Sequence, residues 1–126
     1  MRRTVYGEDH ESFRRAVRAF VAREIAPHYR DWERAGAPGK EIYRKAAEHG
    51  FIGMQIPERF GGAGEDSYLF NAAFIEETVA ADVNLGSMRV HSEVCLPYLL
   101  HLASDDQQAR WLPEVAAGRM VLAIAM

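Results

Sequence analysis

The sequence predicts an all-α protein, an orthogonal or up-down helical bundle of five to six helices that ends in the first strand of a β-domain. Three observations carry this expectation. Apolar residues recur every three or four positions through most of the chain, the period of a helix with one buried face. Glycine, proline, serine and asparagine punctuate those runs at short intervals. Only Gly118-Arg119-Met120-Val121-Leu122-Ala123-Ile124-Ala125-Met126 departs from the pattern, as an unbroken apolar stretch of strand length.

The first helix is expected to start between Asp9 and Ser12. Phe13, Val17, Val21, Ile25, Tyr29 and Trp32 form an amphipathic stripe, which Ala16 and Phe20 widen. Pro27 lies inside this stripe and should kink or split the helix, because it lacks a donor and its ring clashes with the preceding turn. Gly36 and Pro38 end the segment. A shorter helix is expected from Lys40 to His49, with Ile42, Ala46 and Ala47 inward and Gly50 as its stop. Phe51 to Gly64 reads as a loop with apolar anchors, closed by Gly61-Gly62-Ala63-Gly64.

A third helix should span Ser67 to Ala81, with Leu69, Ala73, Ile75 or Glu76, and Val79 or Ala80 inward; Asp82 and Asn84 break it. The fourth runs from Leu85 to Ala103 and carries Met88, Val94, Leu96, Leu99, Leu100 and Leu102, with a kink expected at Pro97. Ser104-Asp105-Asp106-Gln107 is a capping box that starts a fifth helix. Pro113 is expected to open a further turn that Gly118 closes. The terminal run has no upstream partner for a strand's donors and acceptors. It therefore reads as the point where a β-rich region begins.

At 126 residues the chain can bury a real core. Its apolar share of 48% and charged share of 26% are those of an ordinary globular protein. A net charge of -3 gives no general attraction for nucleic acid or acidic lipid. Arg14, Arg15 and Arg18 form a small basic patch behind Glu8, Asp9 and Glu11, which reads as a solvated helix face. Cys95 is the one cysteine, so an internal disulfide is excluded and a reducing compartment is implied. Met1-Arg2-Arg3 begins like a signal peptide, but acids follow by Glu8 and no apolar core segment does. No apolar stretch approaches the roughly 20 residues of a membrane span. The expected location is cytoplasmic.

The chain offers no self-contained active site. Gly61 to Gly64 lacks the lysine and hydroxyl of a phosphate loop and reads as a structural turn. His91-Ser92-Glu93 holds the residue types of a hydrolase triad, but consecutive helical positions diverge and cannot form one. His91 and Ser92 read instead as a polar strip, either satisfied internally or facing a cavity. Glu24 and His28 do not match a di-iron pattern, and no metal site is expected. Glu76 and Glu77 are adjacent on a helix, so their carboxylates should diverge rather than act as an acid/base pair.

Several segments, taken together and in order, resemble the N-terminal helical domain of acyl-CoA dehydrogenases. They are Glu11-Ser12-Phe13-Arg14, Glu24-Ile25-Ala26-Pro27, Trp32-Glu33, Gly50-Phe51-Ile52-Gly53, Ile56 through Gly64, Ile75-Glu76-Glu77, Asp106-Gln107-Gln108, Trp111-Leu112-Pro113, Ala117-Gly118 and Ala123-Ile124-Ala125-Met126. Val90-His91-Ser92 and Leu96-Pro97-Tyr98-Leu99 look most like the long-chain branch.

The resemblance implies residues 1-118 as the helical domain and 119-126 as the start of the middle β-domain. It implies FAD as cofactor and α,β-dehydrogenation of an acyl-CoA thioester, with electrons leaving to an electron-transferring flavoprotein. A homotetramer or homodimer is implied for the full-length protein. The glutamate base of this family lies in its C-terminal domain, so no catalytic residue is expected here, and these 126 residues alone are expected to be inactive. By position, Gly86, Arg89, Val90, Glu93 and Val94 correspond to the family's acyl-chain wall, and Ile124, Ala125 and Met126 to a flavin-contacting strand. Arg89 and Glu93 depart from a purely apolar lining: either they point elsewhere, or the chain bound is bulky, polar or not a simple fatty acid. The rival readings are a flavin monooxygenase, acyl-CoA oxidase or nitroalkane oxidase of the same fold, or a free-standing helical interaction module.

Overall fold

A computed structural model describes residues 5–126; Met1-Arg2-Arg3, with its signal-like start, lies outside them. The described residues are all-α. In chain order they form α1 (Glu8–Phe20), α2 (Tyr29–Ala35), α3 (Glu41–Glu48), α4 (Tyr68–Ala80), α5 (Gly86–Arg89), α6 (Leu96–Leu102) and α7 (Asp105–Ala116). A π-helical turn, Val21–Ile25, continues α1 without a break, and another, Val90–Cys95, joins α5 to α6. Counted as continuous rods, these make six helices among the described residues.

Each π-turn ends two residues before a proline. The Ala26 N–H donates to the Val21 carbonyl at 2.9 Å, and the Leu96 N–H donates to His91, each five residues back. Widening the turn relieves the clash between a proline ring and the carbonyl four residues behind it. At Pro27 the chain then splits into α2, as expected. Before Pro97 the helix widens into a π-turn and then runs on to Leu102. Pro113 also does not open a new turn: α7 passes through it to Ala116.

Two compact units interleave along the chain. The first joins Met1–Pro38 to Ser67–Asn84. Within it α1 packs on α4, with Val17, Phe20, Val21 and Ile25 buried as their spacing predicted. Phe13 meets Phe70 edge-on, ring centres 5.2 Å apart. The expected inward face of α4 is corrected. Asn71, Ala73, Phe74, Glu77 and Thr78 are buried, while Val79 is 68% exposed.

Glu77 decides this rotation. Arg14 Nε donates to one of its oxygens at 2.7 Å; Arg18 Nε donates to the other at 2.8 Å, and Arg18 Nη2 to the first at 3.0 Å. The basic patch is therefore not simply a solvated face, although Arg15 is exposed and donates to the Ser12 hydroxyl. Glu76 also lies near Arg14, at 3.6 Å, and accepts from the Tyr6 hydroxyl at 3.0 Å. The two carboxylates thus share a cation. Asp82, in the left-handed region at φ 56°, ends the α4 segment.

The second unit joins Gly39–Asp66 to Leu85–Met126. Ile56, Leu96, Leu112 and Val115 are its buried centre, with Phe60, Leu99, Leu100, Met120 and Leu122 packed against them. Burying each such aliphatic side chain contributes about 1.5–3 kcal/mol. The glycine loop is a structural turn: the Gly64 N–H donates to the Ile56 carbonyl at 2.9 Å. A Cβ on Gly62 would sit 2.0 Å from that same carbonyl oxygen, so only glycine lets the loop close.

The capping box forms as expected. The Gln107 N–H donates to Ser104 Oγ at 3.3 Å, and the Ser104 N–H donates to Gln107 Oε1 at 2.9 Å. Ser104→Ala should lower stability by about 1 kcal/mol, read from the denaturant midpoint; an unchanged midpoint would mean that α7 does not depend on its cap.

Gly118 ends α7 at φ +68°, where a Cβ would lie 2.5 Å from the Tyr43 carbonyl oxygen. Beyond it, residues 121-126 adopt no strand. A strand is defined by its ladder, and no second strand exists among the described residues to supply one.

Candidate functional site

The helical rod from Gly86 to Leu102 is roughly 25 Å long at 1.5 Å per residue, and it carries most of the residues expected to matter. Its buried line runs Met88, His91, Cys95 and Leu96. The step of five from His91 to Leu96 is the mark of the π-turn. Val94, Tyr98 and Leu102 are 39%, 58% and 75% exposed. Val94, Tyr98 and Leu102 stand four apart, an apolar stripe on the surface. Contiguous exposed apolar surface of this kind marks a place where something else docks.

Gly86 and Val90 are half-buried. Arg89 and Glu93 pair across one helical turn, Nη2 to Oε2 at 3.6 Å. The two charges therefore offset one another rather than presenting a lone charge to a ligand. The Arg89 side chain is 47% exposed and that of Glu93 only 14%.

Next to the stripe lies an apolar groove of about 350 Å³, lined by Cys95, Tyr98 and Leu99 from the rod and by Leu122, Ala123, Ile124 and Ala125 from the terminal run. The fold thus brings Ile124 and Ala125, 30 residues from Val94 and Cys95 respectively, against the same helix. Met126 does not join the groove and is fully exposed. Reading the sequence missed Cys95, Tyr98 and Leu99 as site residues. Their spacing of three and four was legible, but assignment to core or groove depends on what the terminal run covers.

His91 joins these parts. It is 0% exposed, its Nδ1 accepts the Leu122 N–H at 3.0 Å, and its ring meets Tyr43 edge-on at 5.5 Å. Burial pushes its pKa down to about 4. With Nδ1 accepting, the proton resides on Nε2. That Nε2 and the Ser92 Oγ are buried without a hydrogen-bond partner among the described residues. Of the two alternatives for the polar strip, half of each holds: one histidine nitrogen is satisfied internally, and the other two polar atoms are not.

The described residues are all-α, and the rod from Gly86 to Leu102 carries exposed apolar side chains beside an apolar groove. Residues 7–119 match the acyl-CoA dehydrogenase N-terminal domain, and the chain belongs to that family. It is 35% identical over 125 residues to the mitochondrial long-chain specific acyl-CoA dehydrogenase of Sus scrofa, covering 98% of this chain and 29% of that protein. The fold superposes on an acyl-CoA dehydrogenase from Geobacillus kaustophilus with a TM-score of 0.87 and 29% identity, covering 94% of this chain and 31% of the other. A glutaryl-CoA dehydrogenase from Mycobacterium smegmatis in complex with FADH2 shares the fold at a TM-score of 0.78 and 22% identity, covering 92% and 30%. The chain therefore spans less than a third of the length of these relatives. No described helix is long and apolar enough to cross a membrane.

Proposed function

We propose that this chain is the N-terminal part of an FAD-dependent acyl-CoA dehydrogenase, and that its rod from Gly86 to Leu102 forms one wall of the acyl cavity. The observation that carries the reading is the surface stripe of Val94, Tyr98 and Leu102 beside a groove that Ile124 and Ala125 complete. Gly86, Arg89, Val90, Glu93 and Val94 face the acyl chain. The paired charges of Arg89 and Glu93 suit a site that tolerates a polar or bulky acyl group better than a seamless apolar tube would.

Ile124, Ala125 and Met126 approach the flavin. Their side chains are apolar and exposed, and their backbone groups have no ladder partner among the described residues, a combination that fits a flat aromatic ring with polar edge atoms. FAD, when bound, supplies the acceptor for the β-hydride. The chain's own contribution is to orient the thioester's acyl group and to keep water from the cavity. Residues 119-126 enter a β-domain, an electron-transferring flavoprotein accepts the electrons, and the full-length protein is a homotetramer or homodimer. The buried single Cys95 suits a reducing, cytoplasmic setting.

The test is steady-state turnover of acyl-CoA thioesters by the full-length holoenzyme with an artificial electron acceptor. Val94→Trp should raise KM for long-chain acyl-CoA roughly tenfold, as overpacking of about 1–3 kcal/mol implies, with the flavin spectrum unchanged. A colourless protein, or one whose KM ignores position 94, sinks the reading. Stoichiometric oxygen uptake with peroxide release would move the assignment to an oxidase.

A further inference from the structure

We infer that His91 is a positioning residue: through Nδ1 it holds the Leu122 N–H and so fixes Ala123 to Ala125 against the helical rod proposed as the acyl wall. The hydrogen bond is 3.0 Å long and joins residues 31 apart in the chain. It is the one backbone donor of residues 121-126 with a hydrogen-bond partner among the described residues. Everything else that holds this run in place is apolar contact, such as Leu122 against the core of Leu96 and Leu112. Apolar contact is non-directional and does not set register. A directional bond from a fully buried ring does.

The ring is itself held in orientation. His91 is 0% exposed, in the π-turn, and packs edge-on against Tyr43. It acts as an acceptor only in the tautomer with the proton on Nε2, and that N–H has no partner among the described residues. A buried donor left unpaired opposes folding. Phenylalanine would remove that penalty at the same volume, so a histidine here earns its place by what Nδ1 does. Leu122 lies two residues before Ile124, so freedom at Leu122 becomes freedom at the flavin-facing residues. This last step rests on the proposed role of Ile124 to Met126.

Three substitutions in the full-length holoenzyme separate the possibilities. His91→Phe keeps the ring and removes the acceptor. His91→Asn puts an amide oxygen where Nδ1 stands, one bond from Cγ. His91→Gln places its polar atoms one bond further, where Nε2 stands. Amide hydrogen exchange at Leu122, referenced to core amides of Leu112 and Val115, should quicken roughly three- to tenfold in the Phe and Gln variants, the range one net hydrogen bond supports. The Asn variant should restore wild-type exchange. Flavin affinity should fall and recover in parallel.

Unchanged exchange at Leu122 in His91→Phe overturns the proposal. Quickened exchange with unaltered flavin affinity upholds the tether and overturns the assignment of Ile124 to Met126 to the flavin. If the Phe variant does not fold, the Asn and Gln pair carries the test: equal exchange in those two overturns it.

Discussion

Replacing Arg14 and Arg18 together by methionine should destabilise the protein by about 3–5 kcal/mol, the cost of leaving a buried charge without its partners. Glu77 is only 3% exposed, and both of its oxygens are held by these two guanidinium groups. Burial alone would raise its pKa; the hydrogen bonds from Arg18 and Arg14 outweigh that and hold it below the usual carboxylate range. A lowered carboxylate pKa contributes stability above the unfolded value, and that contribution is lost as pH falls through the folded value. Without the arginines, burial remains and the sign reverses. The double variant should therefore gain stability relative to wild type on mild acidification. Glu77→Gln in that background should recover a large part of the loss at neutral pH. Denaturant melts at two pH values check both statements. A double variant whose deficit is the same at pH 5 and pH 7 would show that Glu77 is not the charge being stranded.

The second large effect is acid destabilisation through His91. Its folded pKa is about 4 against an ordinary 6.5, with burial as the cause. Between those values the unfolded chain binds a proton that the folded chain refuses, so stability falls as pH drops from about 6.5 to about 4. The difference of about 2.5 units corresponds to about 3 kcal/mol at the bottom of that window. Above pH 6.5 both states are neutral and the residue contributes no slope. The comparison that isolates it is wild type against His91→Asn, which keeps the acceptor but cannot titrate. The variant should show a shallower loss of stability between pH 6.5 and pH 4. Parallel curves would mean that His91 takes up its proton in the folded state without consequence.

These two cases also mark where sequence reading stops. The stripe from Val17 to Ile25, the Ser104 capping box and the Gly118 stop were legible because each is written within a few residues. Glu77 and its arginines are separated by 63 and 59 residues. Nothing local distinguishes such an arginine from one on a solvated face, and the inward face of α4 was misread with it. His91 shows the same limit at shorter range. That it interrupts an apolar helix was visible; that it answers Leu122 was not, because the terminal run's course is set by packing. The positions proposed for the acyl wall rest on family resemblance. The groove beside them had to be seen in three dimensions, since Cys95, Tyr98 and Leu99 would suit a core equally well.

The π-turn before Pro97 has a consequence for how this surface can vary. A turn of five residues where four would serve is, in effect, a one-residue insertion that the helix has absorbed. It sets the phase between the two halves of the rod, so Gly86 and Arg89 lie on one angular scale and Tyr98 and Leu102 on another. Closing the π-turn to an α-turn without losing a residue would keep both halves helical yet swing one relative to the other by roughly 100°, the rotation of a single helical position. A lineage could thus turn a different row of side chains toward the groove without changing any residue that lines it. In the acyl wall proposed above, substrate preference could then be altered by frame as well as by side-chain identity.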